Sequence, residues 1–270
     1  MSASRYYWAP LRAAMLAALL LATGCDDPTH ARTPPRVNAL SIFLVLDPDS
    51  LVQPLLAYPT NSADVIQGLS GTVHSGGALV ASGSMAALPS ACTERYWTSG
   101  SAGLPRCVPF QFSPRPGATY RVSVSGEGYP AAAATATVPG EFQVREVVAR
   151  GTPPGTEELR VSWTPSKGAY RYVVALRPQT APRCVRIRAC TQGWYAATTD
   201  TVLQTRVPAS ELQGGEGAWF VDVYAMDRAV YEYLTTGSSG NLFPVPPVQN
   251  VEGGYGAVGA WVRRSRLVVP

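Results

Sequence analysis

The sequence predicts an all-β protein built from two β-sandwich domains, carried behind an N-terminal export signal and a tether. Three observations lead there. From Leu40 onward the apolar runs are short and broken by Gly, Pro and Ser, and no stretch keeps a helical period over about 15 residues. Gly and Pro together supply about 18% of the chain, which suits a turn-rich β protein better than a helical one. Hydrophobic residues make up 46% of the 270 and charged residues 15%, the reverse of a disordered tail protein. The formal charge of +4 leaves no electrostatic footprint for nucleic acid.

Residues 1–12 contain Arg5 and Arg12 and no acid, and Ala13 to Ala22 is an apolar run of ten. A bilayer span needs about 20 apolar residues, so this run reads as the core of a signal peptide over 1–24. Small residues then lead directly into Cys25 (Ala22-Thr23-Gly24-Cys25). This resembles the lipobox of bacterial lipoproteins, with Ala22 where Leu is usual and Leu21 one position earlier. The resemblance implies lipidation of Cys25, which becomes the N-terminus of the mature chain. Residues 25–38 hold three prolines and no apolar periodicity, and read as a tether. Of five cysteines, lipidation of Cys25 leaves four. Three pairings are formally open. Cys92 with Cys107 and Cys184 with Cys190 is favoured, because each pair falls within one predicted loop, and such bridges require an oxidising compartment. The spacings lack the CxxC knuckles of structural zinc.

The first domain is expected over 39–148. Residues 39–46 form a buried strand, and 65–73 with 78–85 a hairpin about Ser75-Gly76-Gly77. Residues 107–112 alternate. The Pro116-Gly117 turn feeds a strand with Tyr120, Val122 and Val124 on one face. Residues 131–138 form a further strand, closed by Pro139. The Pro/Gly-rich stretch 149–157 is the expected boundary to a second domain over 149–270. There, alternation places Leu159, Val161 and Trp163 on one face and Trp219, Val221 and Val223 on another, and two such faces make a sandwich core. The segments 159–165, 170–174 and 219–227 resemble fibronectin type III domains of the immunoglobulin-like class, in which a Trp on an early strand precedes an alternating Tyr/Val strand.

Nearly the whole mature chain also resembles a bacterial lipoprotein family catalogued as domain of unknown function 4249. The resemblance is carried by Cys25, by residues 116–139, by Tyr231-Glu232-Tyr233-Leu234, and by Asn250 to Ala260, where Val258 replaces the usual Phe. It implies two β-sandwich-like domains on a cell-envelope lipoprotein, often with TonB-dependent receptors nearby, and no catalytic residues. In enteric-type sorting an Asp after the cysteine retains a lipoprotein in the inner membrane, whereas in the bacteria where the family is common Asp26 and Asp27 resemble a surface-export signal; the outer membrane is the favoured expectation of the two.

The sequence holds few residues in a catalytic or metal-binding pattern. His30 and His74 have no partner at metal or catalytic spacing, and GxSxG, P-loop and HExxH motifs are absent. Asp222, on an alternating strand, is expected to face solvent; Asp47-Pro48-Asp49 reads as a turn, because the proline breaks a calcium-loop pattern. Gly253-Gly254-Tyr255-Gly256 reads as a tight backbone crossing. Two features invite binding. Tyr96 and Trp97 lie inside the 92–107 loop and Trp194 and Tyr195 follow Cys190, as rings presented for sugar stacking or a protein hot spot. Arg183, Arg186 and Arg188, with Arg263, Arg264 and Arg266, are placed to meet anionic groups. No cofactor or metal is expected. The leading expectation is a noncatalytic accessory lipoprotein that binds an outer-membrane protein such as a TonB-dependent transporter. The alternative is a carbohydrate- or peptidoglycan-binding module that uses the loop aromatics.

Overall fold

A computed structural model describes residues 38–60, 66–85, 106–150, 157–178, 194–208, 219–236 and 250–268. The N-terminal half supplies β1 (Leu40–Leu46), β2 (Val52–Pro59), β3 (Ser70–Ser75), β4 (Ala78–Ser84), β5 (Arg106–Gln111), β6 (Thr119–Gly126) and β7 (Tyr129–Thr137). The C-terminal half supplies β8 (Val144–Arg150), β9 (Glu157–Trp163), β10 (Arg171–Pro178), β11 (Tyr195–Thr198), β12 (Val202–Val207) and β13 (Trp219–Met226). A short helix α1 (Arg228–Thr236), β14 (Val251–Glu252) and the long β15 (Tyr255–Val268) complete the order.

Three sheets result. The largest has seven strands in the order β11-β10-β13-β15-β1-β2-β5, and the others run β12-β9-β8 and β14-β7-β6-β3-β4. The main core contains Leu40, Ile42 and Leu44 of β1, Val122 and Val124 of β6, Val161 and Trp163 of β9, and Val221 and Val223 of β13. It therefore lies between one face of the large sheet and both smaller sheets. Because side chains alternate along a strand, the predicted faces 159/161/163 and 219/221/223 do meet in this core. The architecture is two β-sandwiches whose inner sheets are fused edge to edge by the parallel pairing of β1 with β15, Ser41 opposite Tyr255 through Leu46 opposite Ala260.

The chain does not change sandwich at 149–157 as the composition suggested. β8 pairs with β9 across that stretch, Val147 opposite Val161, so both belong to the second sandwich. The passage comes earlier, between β7 and Val144. Nor do the halves stay apart afterwards: β14 returns to pair with β7 of the first sandwich, and β15 then joins β1.

Each sandwich contains the same local device. Before β6, Gly117 turns the chain at φ 79°, and the Tyr120 hydroxyl accepts the Arg115 N–H at 2.8 Å. Before β10, Gly168 turns it at φ 82°, and the Tyr172 hydroxyl accepts the Ser166 N–H at 2.7 Å. A tyrosine that ties its hydroxyl to backbone a few residues upstream is the tyrosine corner of β-sandwiches. Each ring is buried, so one residue fills core and satisfies a loop donor.

The expected backbone crossing at 253–256 is the hinge of the fold. Gly253 at φ 70° packs on the Ala131 carbonyl of β7, and Gly256 at φ 106° packs on the Ile42 carbonyl of β1. A Cβ at Gly256 would penetrate that carbonyl oxygen. Asn250 fixes the other side, its amide donating to the Val258 carbonyl at 2.5 Å and accepting the Val258 N–H at 3.0 Å. Gly256→Ala is therefore expected to cost at least about 3 kcal/mol by chemical denaturation, since it combines a strained φ with a backbone clash. Gly76→Ala, at φ 56° in open space, is expected to cost only about 1 kcal/mol.

Candidate functional site

The second face of the large sheet carries the unusual chemistry. One end is apolar: Phe43, Val45, Tyr224, Met226 and Trp261 form a second buried cluster under Val230, Tyr231, Tyr233 and Leu234 of α1. The other end is charged. Asp222 is 1% exposed and Arg177 6%, and Arg177 Nε donates to Asp222 Oδ2 at 2.9 Å. The Arg177 guanidinium also lies 4.4 Å from the Phe220 ring centroid, within cation–π range. The Ser265 hydroxyl donates to the second oxygen of Asp222. Register makes this arrangement: Phe220 stands opposite Arg177, while Asp222 stands opposite Ser265 and Tyr224 opposite Arg263.

The stripe continues along β15 to the turn that follows β1. Arg263 is 8% exposed and reaches Asp49 at 3.5 Å. Burial works against its charge, but Tyr224, Asp47, Asp222 and Asp49 together hold its pKa above the ordinary value. The Tyr224 phenol is pushed up to about 12, by burial first and by the Asp222 charge second, so it stays neutral. Alternation along β13 had placed Asp222 in solvent. That expectation is corrected here: β13 is buried on both faces from Val221 onward, and the carboxylate is tolerated because a guanidinium and a hydroxyl meet it.

Asp227, just past the end of β13, is a half-buried carboxylate. It caps α1, with Oδ1 accepting the Val230 N–H at 2.9 Å, the N-cap geometry of a helix start. Its Oδ2 accepts the Ala260 N–H of β15 at 2.9 Å. Gly259 makes room, since a Cβ there would strike both oxygens. Burial raises the Asp227 pKa from 3.8 to about 7, against the two backbone hydrogen bonds, which lower it.

The residues singled out from sequence fall as follows. Cys25, Cys92, Cys184, Cys190, Tyr96 and Trp97 lie outside the described residues, as do His30, Arg183, Arg186 and Arg188. Cys107 is buried on β5. Trp194 packs against the main core, whereas Tyr195, 38% exposed, pairs with Ala175 of the opposite face. The two neighbouring rings therefore do not make one stacking platform. Arg263, Arg264 and Arg266 are not a free anion patch. Arg263 and Arg264 both reach Asp49, Arg264 also meets Glu141, and Arg266 donates to the Arg145 carbonyl at 2.6 Å. Asp47 and Asp49 form a turn, in which the Asp49 N–H donates to Asp47 Oδ1 at 3.0 Å. Among the described residues no group of three His, Cys, Asp or Glu side chains is placed to hold a metal.

Two measurements test the buried charges. Arg177→Met strands Asp222 in the core and is expected to cost about 3–5 kcal/mol in urea denaturation. Adding Asp222→Asn in that background should recover part of the loss, because the unpaired charge is removed. For Asp227 the folded pKa is raised, so its contribution to stability is fully present below about pH 4 and is lost as pH rises through about 7. The Tm of the wild type relative to Asp227→Asn should therefore fall between about pH 4 and about pH 7. A constant difference would show that the carboxylate does not titrate there.

No curated protein matches the chain. Among solved structures, it is similar to the FN1–FN3 domains of chicken CNTN1, at 11% identity over 86% of this chain and 64% of that one, with a TM-score of 0.21. It is also similar to a chain of a cytokine receptor complex, at 15% identity over 84% of this chain and 95% of that one, with a TM-score of 0.26. The family described as domain of unknown function (DUF4249) matches residues 84–266. That stretch covers β5 to β15 with the glycine hinge and the Asp227 cap, and the chain belongs to this family.

Proposed function

We propose that this chain is a noncatalytic, lipid-anchored protein of the cell envelope that binds a partner protein, with an outer-membrane transporter of the TonB-dependent kind as the leading candidate. The carrying observation is the order of parts. A lipobox cysteine and a proline-rich segment precede a compact unit that begins at Asn38, where the tether is expected to end. The buried charges also favour binding over catalysis. Asp222 is neutralised by Arg177 and Ser265, and Asp227 is spent on two backbone N–H groups, so neither is presented to a substrate. Lipidation of Cys25 and the pairs Cys92–Cys107 and Cys184–Cys190 are part of the same proposal, since both belong to an exported chain.

The test is affinity purification of the tagged lipoprotein from native membranes in mild detergent. A β-barrel protein co-eluting in stoichiometric amount is the expected result. A solitary protein, eluting as a free monomer, would overturn the reading.

A further inference from the structure

One exposed cluster is not explained by the fold. Tyr170, in the turn before β10, is 38% exposed although it begins a core strand. Its backbone N–H donates to the Met226 carbonyl at 2.8 Å, which fixes it beside the start of α1. Two cations flank its ring: the Arg171 guanidinium at 5.1 Å from the centroid and the Arg228 guanidinium at 5.7 Å. The Tyr231 ring meets it edge-on at 5.8 Å. Lys167 is exposed in the same turn.

The charge balance is one-sided. Arg228 is held by Glu232 at 2.7 Å, yet its side chain is 71% exposed. Among the described residues no carboxylate pairs with Arg171. The first turn of α1 holds no acid and begins instead with Arg228, where the helix dipole disfavours a cation. Among the described residues the one carboxylate partner of Arg228 is Glu232, through Nε, and the rest of the guanidinium is left toward solvent. Tyrosine and arginine are also the residue types that dominate binding energy at protein interfaces. Tyr170 is the rigid ring here, and the two guanidiniums are already stacked on it and pre-oriented, which lowers the ordering cost of an interface.

We propose that Tyr170, Arg171 and Arg228 form a docking surface for an acidic segment of a partner protein. The site deepens the partner-binding reading and rests on it: an outward-facing aromatic gives contact area, and the two guanidiniums receive carboxylates on either side. Carboxylates suit these donors because a guanidinium can take two oxygens at once.

The test uses the full chain in uncharged detergent and needs no native partner, so its failure and that of the co-purification experiment are separable. A fluorescein-labelled hexaglutamate peptide is titrated at low salt and read by anisotropy, with hexaglutamine as the neutral control. The wild type is compared with Arg171→Ala/Arg228→Ala and with Arg160→Ala/Arg206→Ala, which removes the same charge from exposed positions on β9 and β12. Binding of hexaglutamate is expected to weaken about tenfold in the first double variant and to stay within about twofold in the second, with both variants still folded by circular dichroism at the assay temperature. Arg171→Lys/Arg228→Lys should recover only part of the affinity, since lysine loses the planar donor pair. Equal affinity in all proteins, or none in the wild type, overturns the proposal. So does loss confined to phosphatidylglycerol vesicles, which would assign the patch to a membrane surface.

Discussion

The fold depends on one backbone contact, the approach of Gly256 to the Ile42 carbonyl. At that point the last strand leaves the five-stranded sheet, where β14 pairs with β7, and enters the seven-stranded sheet beside β1. A parallel pair cannot be made by a hairpin, so β1 and β15 must meet through the whole length of the chain between them. The pairing buries Leu40, Ile42, Leu44 and Leu46 on one side and Phe43 and Val45 on the other. Without it each sandwich would expose the edge of its larger sheet, an unpaired row of N–H and C=O groups. Small residues at 256, 257, 259 and 260 are the condition for this approach, and the Asn250 side chain holds the strand in place from the other side.

From that pairing follows the register of β15 against β13, and from the register follows the polar stripe. Asp222, Ser265, Tyr224 and Arg263 face one another because they are cross-strand partners. A slip of β15 by one residue would turn Ser265 and Arg263 to the main core and take them away from Asp222 and Tyr224. A buried ion pair contributes little net stability over an apolar pair, but a strained or mismatched alternative would leave Asp222 or Arg263 uncompensated. The stripe therefore acts against wrong registers of a long, small-residue strand whose alanines and glycines specify register weakly.

Much of this was legible in the sequence. The glycine cluster signalled the crossing, since four residues with three glycines in a β context have few other uses. The alternating faces of β9 and β13 were readable because both pack on one core. What was not legible was the second face of the large sheet. A strand buried on both sides loses its alternation signal, and Asp222 on β13 then reads as solvent-facing. The domain boundary misled for a related reason: a run of Pro and Gly marks a loop, and the loop between β8 and β9 is inside one sandwich. The tyrosine corners share a Gly-Ala pair ahead of the tyrosine, Gly117-Ala118 before Tyr120 and Gly168-Ala169 before Tyr172, but the spacing differs by one residue and Tyr170 intervenes in the second, so the recurrence does not single out the corner ring. Of the candidate binding residues, Trp194 and Tyr195 are adjacent in sequence, but a strand sends neighbours to opposite sides, so adjacency could not show a shared platform.

The Asp227 cap links the hinge to the surface. Its two oxygens hold the first turn of α1 and the Ala260 N–H of β15 at once, so the helix start cannot move without the strand. The helix start carries Arg228, and the preceding residue Met226 holds Tyr170 through its carbonyl. The exposed ring and its guanidiniums are thus mounted on the same structure that fuses the two sandwiches. Rigid mounting is what an interface anchor requires, because a ring already fixed in place loses little freedom on binding. The cation at the helix start is met within the fold by Glu232 one turn on, at 2.7 Å, while the Asp227 cap satisfies the helix N–H that would otherwise lack a partner.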